Sequence, residues 1–526
     1  MADRTVIQWE KNDLEDLGLL KVDVLGLGML SAIRRSFDLV RGFDGEDYTL
    51  ATVPAEDPLV YDMICDGDTM GVFQIESRAQ MQMLPRLKPR CFYDLVIEVA
   101  IIRPGPIQGD MVHPYLRRRN GEEAVDYPSE EVRHVLQRTL GVPIFQEQVM
   151  ALAIVAAGFT PGEADQLRRA MAAWKRRGGL GPFEDKLTDG MRRRGYSGDF
   201  AQQIFRQIQG FGEYGFPESH SASFALLVYV SCWLKRHKPA AFTCALLNSQ
   251  PMGFYAPSQL IQDLKRHGAE VRPVDINESR EESSLERAGD GSAALRLGFS
   301  LVKGLAAEAA QAICEARADG PFVSLQQVVE RSGLNRRDLS ALASAGAFDS
   351  LSGHRHRARW DVAGAETPTP LFQSMETYEP QPMLSRPSEA QDIIADYQSV
   401  GLTLRRHPLC LLRTRLDRFD YRTAESLGGL KTGVALNVAG IVTTRQRPGT
   451  ASGVTFVTLE DETGYVNLIV WKRIADDFRK ELLNSRLLGV QGELQRDGKV
   501  IHVIAERLFD HSDMLGDLQA RSRDFH

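Results

Sequence analysis

The chain has 526 residues, 43% of them hydrophobic, so it should form several domains, because single cores seldom grow past about 250 to 300 residues. Its longest apolar run, residues 224–234, falls short of the roughly twenty residues of a bilayer span, and no secretory signal opens the chain, so no membrane partner is expected and a cytoplasmic location is. The six cysteines show no Cys-x-x-Cys spacing, which excludes a zinc knuckle and a disulfide framework, and the net charge of −7 taken alone argues against a nucleic-acid partner.

In chain order, Leu19-Leu20-Lys21-Val22-Asp23-Val24-Leu25-Gly26-Leu27-Gly28 reads as a strand with Lys21 and Asp23 on one face and Val22 and Val24 turned into a core. A carboxylate beside an amine suits phosphoryl transfer, since the one holds a divalent ion and the other neutralises a polyphosphate. A lone Lys-x-Asp is more often a solvated edge pair. The glycines then turn the chain into a helix with Leu30, Ile33, Phe37 and Val40 on one face, stopped by Gly42. From there to about residue 247 the pattern is mostly helical, with Pro-Gly breaks at 103–108, 160–162 and 178–182.

Within this region Arg168 and Arg169 follow a helix start at Thr160-Pro161-Gly162-Glu163 and diverge by about 100°. Guanidinium forks suit phosphate oxygens, and ion pairing to Asp165 or Glu163 is the structural alternative. Tyr214 and His220 flank the turn Gly215-Phe216-Pro217-Glu218-Ser219, where Ser219 is the expected N-cap of a long amphipathic helix whose free amides would face an anion. The pair Asp66 and Asp68 reads as a surface loop.

Residues 271–351 hold two short helical motifs with glycine turns, one at Leu301-Val302-Lys303-Gly304-Leu305 and one from Leu334-Asn335-Arg336-Arg337 to Ala345-Gly346. These look like paired helix-hairpin-helix elements, with Lys303, Gly304, Arg336 and Arg337 as DNA-binding candidates, because a glycine lets backbone amides approach a phosphate strand. Residues 352–397, rich in Pro, Ser, Thr and Glu, read as a linker. Its Leu371-Phe372 ending lacks the glutamine that opens a sliding-clamp peptide, so a spacer is the better reading.

A connector, 398–432, leads to 433–510, where the period becomes alternating, with strands expected at 434–442, 455–459, 466–471, 487–494 and 500–507, a helix at 474–483 and a turn at 461–464. Five strands with one helix in that place describe an OB-fold, a small barrel that commonly accepts single strands. Arg445, Arg447 and Arg496 are its candidate phosphate contacts, though loop arginines are usually just solvated. Basic clusters at 117–119, 168–177, 192–194 and 235–238 would give a positive channel inside an acidic envelope.

The ordered motifs TVIQWEKNDLEDLGLLKVDVLGLGML (5–30), GVFQIES (71–77), RPGP (103–106), FQEQVM (145–150), LRRAM (167–171) and SHSASFALLVY (219–229) resemble bacterial C-family DNA polymerases of the polymerase III alpha class. Gln8-Trp9 and the ending Ser522-Arg523-Asp524-Phe525-His526 look like the error-prone, damage-tolerant branch. The resemblance implies a multidomain, mainly α chain: the end of an α/β palm at 1–42, helical fingers at 43–270, the helix-hairpin-helix region, the OB-fold β-barrel and a tail at 511–526. It implies translesion addition of deoxynucleotides to a primer, with primer-template DNA, deoxynucleoside triphosphates and accessory mutagenesis proteins as partners. It also makes Asp23 a catalytic Mg2+ ligand of a two-metal site and places Lys21, Arg168, Arg169, Tyr214 and His220 around the nucleotide.

Two-metal phosphoryl transfer needs several carboxylates holding ions about 3.5 to 4 Å apart. The family carries two further aspartates, spaced Asp-x-Asp, well before the position of Asp23, and only twenty-two residues precede it here. The expectation is therefore a chain resembling the C-terminal half of a longer polymerase, or, in a reading of another class, an inactive DNA-binding fragment.

Overall fold

The structure is a computed structural model that describes residue 17 and residues 26–102, 111–177, 181–210, 216–365, 382–448, 453–498, 500–518 and 523–525. Lys21, Asp23 and the palm strand expected around them, residues 103–106, Tyr214 and residues 367–372 lie outside the described residues.

The helical region opens with α1 (Leu27–Asp44), whose buried stripe is Met29, Ile33, Phe37 and Val40. It runs past the stop expected at Gly42 and ends at Gly45, which adopts φ 75° and returns its N–H to the Arg41 carbonyl. Then come α2 (Pro58–Cys65), α3 (Arg78–Leu87), α4 (Phe92–Ile101), α5 (Gln146–Val155), α6 (Pro161–Arg177) and α7 (Gly181–Arg193). At the centre lies α8 (Glu218–His237), packed against α1, α2, α4 and the next helix, α9 (Pro239–Asn248). Phe224, Val228, Val230, Cys232, Trp233 and Leu234 are all buried, so α8 has no single apolar stripe. The expected amphipathic pattern holds in its first half, where Ser219, Ser223 and Leu226 are exposed at helical spacing, while its second half, 227–235, is surrounded by neighbours, which the apolar run there explains. Its N-cap is Pro217, not Ser219, which lies in the first turn.

After α10 (Pro257–Arg266), the region of the hairpins begins with a small sheet that periodicity did not reveal. Strands β1 (Val271–Arg272), β2 (Ser284–Arg287) and β3 (Ala293–Arg296) pair in the order β1-β3-β2 and are too short for a period to show. Helices α11 (Ala307–Arg317), α12 (Leu325–Ser332) and α13 (Arg336–Ala345) follow. One continuous apolar cluster, from Met29 to Leu402, joins these helices to α1–α10. The expected linker carries two helices, α14 (Arg355–Gly364) and α15 (Glu389–Ser399), held together by Arg355, which is buried and ion-paired to Asp392 at 2.7 Å and to Asp396 at 2.5 Å. Ser388 caps α15 in a Ser-x-x-Gln box, a local signal that low apolar content masked.

Helix α16 (Pro408–Leu416) and β4 (Tyr421–Arg422) lead into the barrel. Its strands are β5 (Ala435–Gln446), β6 (Thr455–Glu460), β7 (Tyr465–Val470), β8 (Leu487–Asp497) and β9 (Val500–Asp510). They pair as β5-β6-β7-β9-β8 and close through β5 with β8, which is the expected five-stranded OB-fold. Alternation fixes the inner side: Val457, Leu459, Val466, Leu468 and Val470 fill the barrel, while Thr458, Glu460 and Tyr465 point outward. Two short helices, α17 (Lys472–Asp477) and α18 (Arg479–Asn484), stand where one was expected. A third cluster, including Ile393, Leu409, Leu416, Tyr421 and Leu487, seals α15 and α16 onto the outside of the barrel. Among the described residues no helix is long and apolar enough to cross a membrane.

Candidate nucleotide and nucleic-acid sites

The FQEQVM segment acts as a staple. Gln148, buried at the start of α5, accepts from the Ile144 and Phe145 amides at 2.9 and 3.2 Å and donates to Thr139 Oγ1 at 2.8 Å. The Gln146 amide donates to the Phe216 carbonyl at 3.2 Å, and the Glu147 carboxylate accepts from the Glu218 amide at 3.1 Å. A native carboxylate thus already meets one of the α8 N-terminal amides, where the sequence suggested free donors for an anion. Helix α6 packs on α5, so the FQEQVM, LRRAM and SHSASFALLVY segments converge around α5.

His220 lies half-buried one residue past Ser219, between Phe216 and Phe224, with ring centroids 5.2 and 4.3 Å away. The row of edge-to-face rings continues to Phe73 of GVFQIES, 5.3 Å from Phe224. At its end sits Gly26, the N-cap of α1 with φ 74°, where a Cβ would come 3.3 Å from the Phe73 ring and 3.8 Å from Leu227. The backbone leaving the Asp23 segment is therefore pinned to the aromatic row that ends at His220. Three residues reach at most about 11 Å.

Arg168 and Arg169 share one carboxylate, Asp165, each through Nε at 2.9 Å. The i,i+3 and i,i+4 geometry lets diverging side chains meet on one acceptor, and it holds the Asp165 carboxyl below its usual range, chiefly through the Arg168 hydrogen bond. Glu163 is engaged by Lys186 and by the Thr160 amide instead. Arg169 remains 74% exposed, which leaves most of its donors facing water.

The basic cluster at 192–194 is exposed, whereas that at 235–238 is partly internal. Lys235, with 4% of its side chain exposed, is ion-paired to Asp263 at 2.7 Å and to Asp68 at 3.0 Å. His267 also meets Asp68, at 2.6 Å. Burial alone would raise the Asp68 carboxyl, but His267 and Lys235 outweigh it and hold the group at about 2. Asp66 is exposed as expected, but Asp68 is a half-buried loop residue that anchors Lys235, and Lys235 is no part of a positive channel. Lys238 pairs with Asp44 and Glu46, and Arg119 with Asp94.

In the hairpin region Gly304 adopts φ 85° with open space around its Cβ position. Lys303 is exposed, but its amide donates to the Ser399 carbonyl at 2.8 Å and its ammonium to the Tyr397 carbonyl at 2.7 Å, both at the C-terminal end of α15. Asn335 caps α13, and Arg336 and Arg337 in its first turn are exposed, with Arg336 donating to the Ala363 carbonyl at 3.2 Å.

In the barrel, Arg445 is not a loop residue: it lies buried in β5 and donates to the carbonyls of Leu482, at 2.6 Å, and Ser485. Its planar fork ties β5 to α18, which leaves it no solvent face for a phosphate. Arg496 likewise donates to the Gly428 carbonyl at 2.6 Å, whereas Arg447 is exposed.

Sequence reasoning missed how the barrel docks. Arg78, at the start of α3, is half-buried and donates to Thr458 of β6. Arg266 of α10 reaches Glu460 at 3.4 Å and lies 4.5 Å over the Tyr465 ring, and Arg86 pairs with Asp497 at 2.8 Å. Burial outweighs Arg266 and pushes the Glu460 carboxyl up to about 7. Nothing local announces this contact, since its partners lie hundreds of residues apart.

Comparison with known proteins adds three matches. The family model for the bacterial DNA polymerase III alpha subunit finger domain matches residues 29–195, a helix-hairpin-helix motif matches 268–358, and an OB-fold nucleic acid binding domain matches 436–510. Proteins named error-prone DNA polymerase are 65% identical in Alkalilimnicola ehrlichii, 60% in Methylococcus capsulatus and 58% in Pseudomonas fluorescens, each over all of this chain. The chain spans about half the length of these curated relatives, at 51%, 52% and 51%.

Proposed function

We propose, from a chain that belongs to the bacterial error-prone DNA polymerase family, that it supplies the nucleotide-facing and DNA-holding parts of a polymerase that extends primers across damaged template. The observation that carries this reading is the aromatic row from Gly26 to His220, because it brings the exit of the Asp23 segment and the SHSASFALLVY helix to one place. On this reading Lys21, Arg168, Arg169, Tyr214 and His220 surround the triphosphate. The shared Asp165 clamp holds the two guanidiniums ready, and phosphate oxygens would displace an exposed pairing of little stability. His220, braced between two phenylalanines, presents its imidazole at a fixed angle.

A divalent ion, Mg2+ by chemistry, would draw on Asp23 as one ligand. Among the described residues no group of three or more His, Cys, Asp or Glu side chains could hold a metal, so those residues do not fit a complete ion centre. That observation favours a second reading for the chain alone: it binds primed DNA without extending it. The exposed Arg336, Arg337 and Arg447 are its phosphate contacts, with Lys303 and Gly304 at the hairpin turn. Accessory mutagenesis proteins enter by family likeness only.

A primer-extension assay on this polypeptide, run beside a gel-shift assay on the same primer-template, separates the readings. The expected result is binding without extension. Extension would overturn the carboxylate argument, and failure to bind primed DNA would overturn both readings.

A further inference from the structure

The β6–β7 face, on which an OB-fold commonly lays a single strand, is here covered by Arg78 and Arg266 of the fingers. A strand that meets this barrel needs another surface, and the opposite side offers one. There, beside β4 and the end of β9, Phe419, His511 and Phe509 form a row of rings. The Phe419 and His511 centroids are 5.3 Å apart, and His511 and Phe509 lie 6.4 Å apart and 14° from parallel. Arg507 extends the row, its guanidinium 5.6 Å over the Phe509 ring. Phe419 is 49% exposed, an unusual state for a phenylalanine that packs on two other rings.

The row is built rather than incidental. Gly489 of β8 lies directly under it, paired with Phe509, and a Cβ there would stand 2.2 Å from Tyr421 Oη and 2.8 Å from the His511 ring. Tyr421 in turn bonds His511 Nε2 at 2.7 Å, and Asn437 holds the Phe419 carbonyl at 3.2 Å. The backbone has given up a side chain so that the rings can sit flat on the sheet.

Unpaired cations flank the row. Arg415, Arg418, Arg422 and Arg507 are exposed, and none is ion-paired among the described residues. The interleaved acids Asp417, Asp420, Glu506 and Asp510 match the four guanidiniums in number without pairing to them: Asp510 accepts from the Ser512 amide at 2.9 Å and Asp417 reaches Arg413 at 4.0 Å. Exposed rings with free cations beside them match the π-faces and phosphates of an unpaired polynucleotide.

We propose that the row formed by Phe419, His511 and Phe509, with Arg507, is a stacking platform for single-stranded DNA, on the side of the barrel opposite the docked face. The proposal rests on the reading that this chain handles primed DNA, and it names the path of the unpaired template. Stacking, not charge neutralisation, supplies most of the affinity, since the four acids interleaved with the four cations balance them in formal charge.

Fluorescence anisotropy of labelled oligo(dT) and of blunt duplex with the whole chain tests it. Phe419→Ala and Phe509→Ala should each weaken oligo(dT) binding about tenfold, with duplex binding and melting temperature unchanged for Phe419→Ala, and Phe419→Trp should restore it. Equal oligo(dT) binding by both alanine variants and the parent overturns the platform and leaves the polymerase reading intact, whereas a parent that binds neither DNA overturns both. Should Phe509→Ala fail to fold, crosslinking of an iodouracil oligonucleotide to the unaltered chain decides. Adducts within 415–422 or 505–511 support the platform, and adducts on the β6–β7 strands or elsewhere overturn it.

Discussion

Two outer faces of the C-terminal barrel differ in what lies over them: one is met by arginines of the fingers, and the other leaves an aromatic ring exposed. On β6 and β7, Thr458, Glu460 and Tyr465 point away from the barrel core and are met by Arg78 and Arg266. Beside β4 and β9, Phe419 and Phe509 also point away from it, and among the described residues nothing comparable covers them. What meets the two faces differs: on the covered one arginines reach Thr458, Glu460 and the Tyr465 ring, and on the open one the Phe419 ring is left half exposed. Alternation tells which side chains leave the barrel but not what they meet, because that depends on contacts with α3 and α10 far away in sequence.

Four substitutions or conditions would break or sharpen this contrast, in order of effect on stability. Gly489→Ala drives a Cβ into Tyr421 and His511 and should cost about 3 kcal/mol in thermal unfolding, as overpacking of a fitted site does. An unchanged melting temperature would mean the rings are loosely held. Arg78→Ala removes a guanidinium from Thr458 and should loosen barrel docking by about 2 kcal/mol, read as faster proteolysis between the fingers and the barrel.

Docking should also depend on pH. Glu460, raised from its ordinary value to about 7, favours the protonated form when buried. Its contribution is complete below the unfolded value near 4.5 and is lost as pH rises through about 7, a change on the order of 2 kcal/mol that Glu460→Gln should flatten. Proteolysis rates at pH 5 and pH 8 check this, and identical slopes for parent and variant would sink it. Arg169→Ala should be nearly silent, under about 0.5 kcal/mol in melting, because its pairing with Asp165 is exposed. In a polymerase that carries this chain it should nevertheless raise the apparent KM for deoxynucleotides several-fold, and an unchanged KM would return Arg169 to a purely structural role.

What the sequence disclosed follows the reach of each signal. The barrel strands were legible because alternation over five or more residues is local, and the α1 face because Leu30, Ile33, Phe37 and Val40 recur at helical spacing, although Leu30 itself is 40% exposed. The second half of helix α8 was harder to place, because a segment buried all round has no stripe to read. Asp68 and Lys235 looked like solvated charges, since their pairing spans 167 positions and only the fold brings them together. Arg168 and Arg169 had two options in the sequence, a phosphate or a local carboxylate, and in the structure they meet the carboxylate of Asp165. The aromatic row to His220 combines residues from three motifs, each unremarkable alone.

The most direct test of the whole account is Asp23→Asn in a complete error-prone polymerase that carries this chain, assayed for primer extension and for primer-template affinity side by side. Extension abolished with affinity kept is the predicted result. Extension at the parental rate would contradict it, and would remove Asp23, and with it the meaning of the aromatic row, from the nucleotide site.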